Sequence, residues 1–315
     1  MGVADSKVAI VLSGGAALGA YQAGAYAKMH GSLGGRVGWV AGSSVGAING
    51  AIIAGNEPQR RVAQLRSFWR EAGAPLAAAP LAENPWLPRQ VGSWLGVLRA
   101  RTAGSAFFRP RLLPELLSQL SFYDLAPLEA KLPRFIDFEL LNSGPARGAA
   151  RLSVVTTDVA TGEPVVFDTG AGDRVEPVHL IASSGLLPDF QPSELDGRLL
   201  GDGSFVEHAP ARVVLGEPRD ETLLCFVVDA LARVGPRPTT LDGAAERRLD
   251  LMMTSQTRHV LDGLCREHRL REHLAAVLER LPPNRRKGTR LAAAAAEARN
   301  AGATVLHLAY RAGPE

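Results

Sequence analysis

Short apolar runs, each followed by glycines and then by helix-forming residues, dominate the first fifty positions. Residues 7–12 are apolar after the first and predict a buried strand, and residues 17–29 predict a helix. The same pattern recurs with a short strand over 38–41 and a helix over 47–54 that ends at a Gly-Asn pair. Two consecutive strand-turn-helix units indicate a parallel sheet.

The rest of the chain continues this alternation and then changes character. The predicted elements are a helix over 58–70, hairpin strands over 152–158 and 164–167, a strand over 221–228, helices over 243–281 and 289–301, and a strand over 304–308. We therefore expect an α/β fold with a mostly parallel sheet sandwiched by helices. The expected division is a core over 1–235 and a helical C-terminal part over 236–315 with a final short strand.

Residues 72–110 interrupt the pattern with closely spaced prolines among apolar residues, which include Trp86, Trp94, Phe107 and Phe108. Such a segment does not form long regular elements. Two interpretations stay open: a structural cover over the core, or a lid over an apolar pocket. The lid hypothesis predicts a preference for long-chain over acetate esters.

Composition excludes several classes of protein. The 315 residues are 46% hydrophobic and 21% charged, and no apolar run approaches the roughly 18 residues of a membrane span. No basic segment precedes the first apolar run, so we expect a cytoplasmic protein. The net charge is only +3, and nearly all of the positive residues are arginine. This is weak evidence for nucleic-acid binding, and we expect no nucleic-acid partner. Cys225 and Cys265 lack zinc-site spacing and are expected to be ordinary buried thiols.

The first glycine turn, Gly14-Gly15-Ala16-Ala17-Leu18-Gly19, lies where a phosphate-binding loop would lie, between a strand and a helix. It lacks the Lys and Ser/Thr of a mononucleotide loop and the full glycine spacing of a dinucleotide loop. No acidic residue ends the second strand to accept a ribose hydroxyl. Nucleotide binding is therefore disfavoured.

The second turn, Gly42-x-Ser44-x-Gly46, has the pattern of a nucleophile elbow, in which small residues let a serine project from a tight strand-to-helix turn. The following helix N-terminus favours an anion that develops near Ser44. An oxyanion also needs converging amides, which the first glycine turn can supply. In an α/β-hydrolase several strands usually precede the nucleophile, whereas only one precedes this serine.

Three motifs in order resemble those of the patatin-like phospholipases. They are Leu12-Ser13-Gly14-Gly15-Ala16-Ala17-Leu18-Gly19, Gly42-Ser43-Ser44-Val45-Gly46, and Gly201-Asp202-Gly203-Ser204. The resemblance runs from Val8 to about Leu215. It implies a patatin-like fold and hydrolysis of a lipid or fatty-acyl ester, of phospholipase A or lysophospholipase type, with no metal or organic cofactor.

The resemblance also assigns roles to residues. Ser44 is the implied nucleophile, Asp202 its base in a Ser-Asp dyad, and the amides of Gly14, Gly15 and Ala16 the implied oxyanion hole. The sequence departs from the family motifs at four places: Ala16, Leu18, Ser204 and His208. A Cβ at position 16 is expected to need a negative φ.

Two other functions stay open. An acyltransferase on a related architecture would pair Ser44 with a histidine and make His208 or His179 essential. A lipid-binding or partner-binding pseudoenzyme would need neither. His208 is also the candidate for a Ser-His-Asp triad.

Further titratable residues are expected to be structural. Asp158 and Asp168 flank the predicted hairpin as turn or cap residues. His179 precedes a helical run and is likewise expected to be structural.

Residues 258–290 contain nine Lys/Arg against four Asp/Glu, interspersed with leucine and valine. This pattern fits either peripheral contact with an anionic membrane or a core-packed helix with a solvated arginine face.

Overall fold

The computed structural model describes residues 7–33, 35–73, 107–111, 121–144, 147–217, 219, 221–235, 237–282, 290 and 302–311. Most of the proline-rich segment, including Trp86 and Trp94, lies outside the described residues. The predicted helix over 289–301 also lies outside them, except for Arg290.

The described residues form one large mixed sheet and one small strand pair. The strands are β1 (Lys7–Leu12), β2 (Val37–Ser43), β3 (Arg109–Pro110), β4 (Tyr123–Asp124), β5 (Arg151–Asp158), β6 (Pro164–Asp168), β7 (Ser193–Leu195), β8 (Arg198–Asp202), β9 (Leu223–Asp229) and β10 (Ala303–Ala309). The large sheet has the order β10-β9-β1-β2-β5-β8-β7, with β6 also paired to β5. Neighbouring strands are parallel from β10 to β5. The pairs β5–β6, β5–β8 and β7–β8 are antiparallel, so the expected mostly parallel sheet is confirmed.

Helices connect these strands and cover both faces of the sheet. They are α1 (Gly19–Leu33), α2 (Val45–Ala54), α3 (Pro58–Ala72), α4 (Ala126–Lys131), α5 (Phe138–Leu141), α6 (Pro177–Ala182), α7 (Ala211–Leu215) and α8 (Leu241–Glu279). Short 3-10 turns over Ala16–Leu18, Leu132–Arg134 and Gly203–Phe205 supplement them.

Strand β1 shows how the two apolar layers arise, because successive side chains of a strand point to opposite faces. Val8, Ile10 and Leu12 belong to the larger cluster, which the helices α1 to α4 cover. Ala9 and Val11 belong to the second cluster, together with residues of α7 and α8. Helices on both faces explain why the run over 7–12 is apolar rather than alternating.

The hairpin β7–β8 is an element that the apolar pattern alone did not predict. Its turn is Asp196-Gly197, and both residues have positive φ, at 51° and 73°. An Asp-Gly pair with both residues in the left-handed region is a favoured two-residue hairpin turn. That dipeptide was the available signal, and the short flanking strands obscured it.

The C-terminal residues divide between the sheet and solvent. Strand β10 pairs with β9 in parallel register and so extends the large sheet. On α8, Leu261 is buried, whereas Leu270 and Val277 are exposed. Cys265 lies on the exposed side of this helix, so the expectation of a buried thiol was wrong for it. None of the helices in the described part of the chain is long and apolar enough to cross a bilayer.

Candidate active site

Ser44 lies at the sharp turn between β2 and α2, with a φ of 56° and a ψ of −131°. The turn depends on its two glycines. A Cβ at Gly42 would lie 2.4 Å from the Gly46 carbonyl carbon, and a Cβ at Gly46 would lie 2.3 Å from the Leu12 carbonyl oxygen. Real Cβ atoms do not tolerate such contacts with backbone. The tight turn from β2 into α2 therefore requires glycine at 42, and the close packing of α2 against the end of β1 requires it at 46.

The register of β5 explains how Asp202 reaches this turn. Thr156 pairs with both β6 and β8, so these two strands lie on opposite sides of β5. Val155 pairs with both β6 and β2, so β2 and β8 lie on the same side. Strand β2 ends opposite Val155 and β8 ends opposite Thr156. The two strands therefore meet end to end, and the residues that end them, Ser44 and Asp202, converge.

Asp202, which lies beside Ser44 at this junction, is only 1% exposed. Burial raises the pKa of Asp202 above its ordinary value, against the opposing effect of hydrogen bonds from Ser44 and Ser204. The Ser204 amide also donates to Asp202 Oδ1 at 2.8 Å. A carboxyl group with a raised pKa in contact with a hydroxyl has the arrangement of a general base beside its nucleophile.

Hydrogen bonds of serine and threonine hydroxyl groups connect the ends of β2 and β8 to β5. The Ser44 amide donates to Ser183 Oγ at 2.9 Å, and Ser183 Oγ donates to the Val155 carbonyl at 2.6 Å. Thr157 Oγ1 donates to the Asp202 carbonyl at 2.7 Å. Ser183 directly follows α6, and its role could not be derived from one sequence because it depends on the strand order.

The glycine loop presents two amides rather than three. The Gly14 amide, which is one of the three expected to hold an oxyanion, donates to the His208 carbonyl at 3.0 Å and is already bonded in this structure. Within the described part of the chain, no acceptor binds the amides of Gly15 and Ala16. Gly14 is buried, whereas Ala16 is exposed and Gly15 half-buried, so these two amides are also the accessible ones.

Ala16 departs from the conformation expected for it. Its φ is +46°, in the left-handed region, and not negative as the presence of a Cβ suggested. The strain of a non-glycine residue in this region is about 1 kcal/mol. The loop accommodates it because the Ala16 side chain points to solvent at the start of a 3-10 turn.

A buried amide network holds the glycine loop against α2. Gln22 Nε2 donates to the Ser13 carbonyl at 2.7 Å, and Asn49 Nδ2 donates to Gln22 Oε1 at 3.0 Å. Trp69 Nε1 in turn donates to Asn49 Oδ1 at 3.0 Å. Sequence reasoning missed this network. Its only signal was the presence of polar Gln22 and Asn49 on helices that are otherwise apolar.

Three residues that were expected to be structural make structural contacts: Asp158, Asp168 and His179. Asp158 Oδ1 accepts from the Ala160 amide at 2.9 Å, as a turn residue does. Asp168 pairs with Arg151 at 2.7 Å, and His179 forms a capping box with Glu176 at the start of α6.

His208 does not contact Ser44 in the described structure. Its Nε2 faces Asp229 Oδ1 at 3.3 Å, and its Nδ1 has no hydrogen-bond partner. The Ser-His-Asp triad therefore lacks its essential contact.

The described end of the proline-rich segment belongs to the apolar interior. Phe107 is buried and stacks on Phe68, with ring centroids 4.7 Å apart. Phe108 packs edge-on against Tyr123 and Phe190. These contacts favour the structural-cover interpretation at Phe107 itself.

No cluster of His, Cys, Asp and Glu suited to a metal ion occurs among the residues that the structure describes.

Fold and site together define a class: an α/β protein with a mostly parallel sheet and a serine on a nucleophile elbow beside a buried aspartate. The model of the patatin-like phospholipase family matches residues 10–215, and a second model, described as patatin phospholipase, matches residues 252–315. The chain belongs to the patatin-like phospholipase family. The second match extends the resemblance beyond the segment in which the three motifs lie.

Solved structures give distant matches. VipD from Legionella pneumophila is 15% identical with a TM-score of 0.41, and the match covers 77% of this chain and 52% of VipD. The chain thus spans about half the length of VipD. The ExoU–SpcU complex from the type III secretion system of Pseudomonas aeruginosa provides a match at 15% identity and a TM-score of 0.34, covering 93% of this chain and 69% of that one. A search of the curated proteins finds no match.

Proposed function

We propose that the chain hydrolyses lipid acyl esters through a Ser44–Asp202 dyad and a covalent acyl-enzyme. The observation that carries this proposal is the end-to-end meeting of β2 and β8 along β5, which brings Ser44 next to the buried Asp202 carboxyl group. Family membership supports the substrate class, and the residues fit a reaction that uses no metal.

The proposed reaction has two halves. Ser44 Oγ attacks the ester carbonyl while Asp202 accepts its proton, and the amides of Gly15 and Ala16 hold the resulting oxyanion. Asp202 then returns the proton to the departing alkoxide. Next, Asp202 takes a proton from water, which attacks the acyl-enzyme, and the fatty acid leaves as Ser44 regains its proton.

A fluorophosphonate probe tests the nucleophile directly, because it labels serines activated by a neighbouring base. We expect labelling of the wild-type chain and none of Ser44→Ala. Ser43→Ala is a partial control, because Ser43 Oγ is buried and donates to the Glu207 carbonyl at 2.8 Å. Labelling that persists in Ser44→Ala at another serine would refute the assignment.

We further propose that the acyl chain lies in an apolar pocket and that long-chain esters are preferred. Each buried methylene contributes about 0.8 kcal/mol, so four more buried methylenes should raise kcat/KM by roughly two orders of magnitude. Equal rates from acetate to octanoate esters would contradict this.

Access to a lipid substrate suggests peripheral contact with a membrane. Phe205, three residues after Asp202, is 40% exposed, and Met252 on α8 is 59% exposed. Sedimentation with anionic vesicles measures this contact. We expect Phe205→Ser to reduce binding, and an unchanged bound fraction would exclude Phe205 as a contact residue.

A further inference from the structure

A second carboxylate is buried close to the proposed site and is paired with a histidine. His208 and Asp229 are each 1% exposed, and His208 Nε2 lies 3.3 Å from Asp229 Oδ1. The Leu231 amide donates to the same oxygen at 3.1 Å, and His307 Nε2 lies 3.8 Å from Asp229 Oδ2. Burying an ionisable pair carries a large desolvation cost. The reaction proposed above does not use this pair.

The main chain of His208 connects three parts of the fold. Its carbonyl accepts from the Gly14 amide at 3.0 Å, and its amide donates to Gln256 Oε1 on α8 at 2.5 Å. Gln256 Nε2 also donates to the Phe205 carbonyl at 3.3 Å. The loop that follows Asp202 is thereby joined to the glycine loop on one side and to the C-terminal helix on the other.

The imidazole ring approaches the base through Ser204. A Cβ placed on Gly14 would lie 3.3 Å from His208 Nδ1 and 2.2 Å from Ser204 Oγ, so both side chains pack against the bare Gly14 Cα. The Ser204 side chain hydrogen-bonds Asp202. The Ser204 hydroxyl therefore lies between the His208 ring and Asp202, the proposed base.

We propose that His208, held in place by Asp229, is a positioning residue that keeps Asp202 and the glycine loop aligned with Ser44. This inference rests on the proposed function. It assigns to the histidine a role different from that of a triad base, because its ring is directed at Asp229 and the Ser204 side of the site, and not at Ser44.

Charge gives the pair a second effect. Burial raises the pKa of Asp202, and the hydrogen bonds from Ser44 and Ser204 and the positive charge of His208 oppose that rise. Removing the His208 ring should raise the pKa of Asp202 further and move the acidic limb of the rate profile to higher pH. The other titratable or charged groups around the ring are Asp229 at the end of β9, His307 on β10, and Asp250 with its partner Arg247 on α8.

The test compares His208→Gln and Asp229→Asn with wild type and with His268→Gln. His268 is a matched control, because it lies on α8 with a partly exposed side chain and pairs with Glu272. The measurements are the rate of fluorophosphonate labelling of Ser44, kcat and KM for a soluble ester across pH, and thermal unfolding of the full chain.

We expect the acidic limb of His208→Gln to move up by about one pH unit. At a pH on that limb kcat should fall about tenfold, because one pKa unit changes the ionised fraction tenfold. Asp229→Asn removes a negative charge instead, so it should slow the labelling of Ser44 and lower kcat without moving the limb up. KM should stay near the wild-type value, and His268→Gln should match wild type. A residue with only a structural role would lower the melting temperature without moving the limb.

Each remaining outcome is decisive. A folded His208→Gln with wild-type kcat and pH profile overturns the inference. If His208→Gln does not fold, Asp229→Asn carries the test, and unfolding of both makes the pair a stability element only. A wild-type chain that is neither labelled at Ser44 nor active overturns the proposed function itself, and the inference with it.

Discussion

The ends of β8 and β9 carry two aspartates that differ in their neighbours and not in their burial. Asp202 and Asp229 are each 1% exposed. Burial raises the pKa of Asp202, and the hydroxyl and amide hydrogen bonds around it do not cancel that rise. Burial also acts to raise the pKa of Asp229, but the hydrogen bond from His208 and the proximity of His307 outweigh it and hold that pKa far below the ordinary value.

The difference shows that neighbours, and not depth, decide what a buried carboxylate does. The two histidines beside Asp229 favour its ionised form, so Asp229 is a weak base that suits an anchor. Neutral hydroxyl partners leave Asp202 with a cost for its charge, which makes it the stronger proton acceptor. The carboxylate whose ionised form is destabilised by burial is the one beside Ser44.

The largest expected effect separates the two aspartates by activity. Asp202→Asn should lower ester hydrolysis at least about 100-fold, the usual scale for removing a positioned base, and by more than any substitution of His208. The measurement is kcat/KM on a soluble ester with the fold checked by circular dichroism.

Asp196→Asn provides a control for that experiment. Asp196 lies in the exposed β7–β8 turn with a φ of 51°, a conformation that asparagine also adopts. Its activity should equal that of wild type. If Asp202→Asn stays within a few-fold of wild type, or if His208→Gln loses more than it, the proposed base is refuted and the histidine-dependent acyltransferase is favoured.

Stability should respond to the same two substitutions in opposite directions. Asp229→Asn should lower the free energy of unfolding by about 1–3 kcal/mol, because it removes the charged acceptor that His208 faces and the nearby partner of His307. Asp202→Asn should leave it unchanged or raise it by up to about 1 kcal/mol, because it removes a carboxylate whose burial is unfavourable. Urea unfolding at neutral pH measures both. Equal losses would erase the contrast between the two aspartates.

The two aspartates should also differ, by a smaller amount, in how they make stability depend on pH in the acid range. The folded pKa of Asp229 is lowered, so its contribution to stability is present above the ordinary Asp value of about 3.9 and is lost as pH falls below it. The folded pKa of Asp202 is raised, so its charge costs stability as pH rises through the interval above that value. Unfolding free energy measured from pH 6 to pH 3 should fall less steeply in Asp229→Asn than in wild type. Parallel curves would contradict the assignment of Asp229 as a stabilising charge.

The smallest expected effect concerns the glycine between the two aspartates. Gly14→Ala would place its Cβ 2.2 Å from Ser204 Oγ, and this hydroxyl can rotate away from Asp202. We expect kcat to fall about threefold to tenfold, since one hydrogen bond to the base is disturbed. Gly24→Ala on α1, where a Cβ meets nothing within 4 Å, should keep full activity and gain about 0.5–1 kcal/mol of stability. Wild-type kcat in Gly14→Ala would show that Ser204 does not tune Asp202.

The long uniform elements were predictable from the chain alone. The strand over Lys7–Leu12 matches its prediction, and helices α2, α3 and α8 differ from theirs by no more than two residues at either end. These elements have strong apolar periodicity bounded by glycine or proline, and both signals are local. The β7–β8 hairpin was missed because its strands are short and only partly buried.

The candidate site divides in the same way. The conformations at Gly42, Ser44 and Gly46 depend on a turn of five residues, so the sequence by itself determined the elbow and pointed to the family. Ala16 was misjudged, because its positive φ is compensated by exposure that the sequence does not show.

Only the tertiary structure decided which residues surround the elbow. The end-to-end meeting of β2 and β8 along β5 brings Asp202 to Ser44, and the adjacency of β9 and β1 brings Asp229 toward the glycine loop. Strand order and register follow from how the whole sheet buries its two faces, and no local pattern contains them. For that reason the sequence could indicate both members of the dyad, whereas the occupied Gly14 amide and the buried His208–Asp229 pair became visible only in the fold.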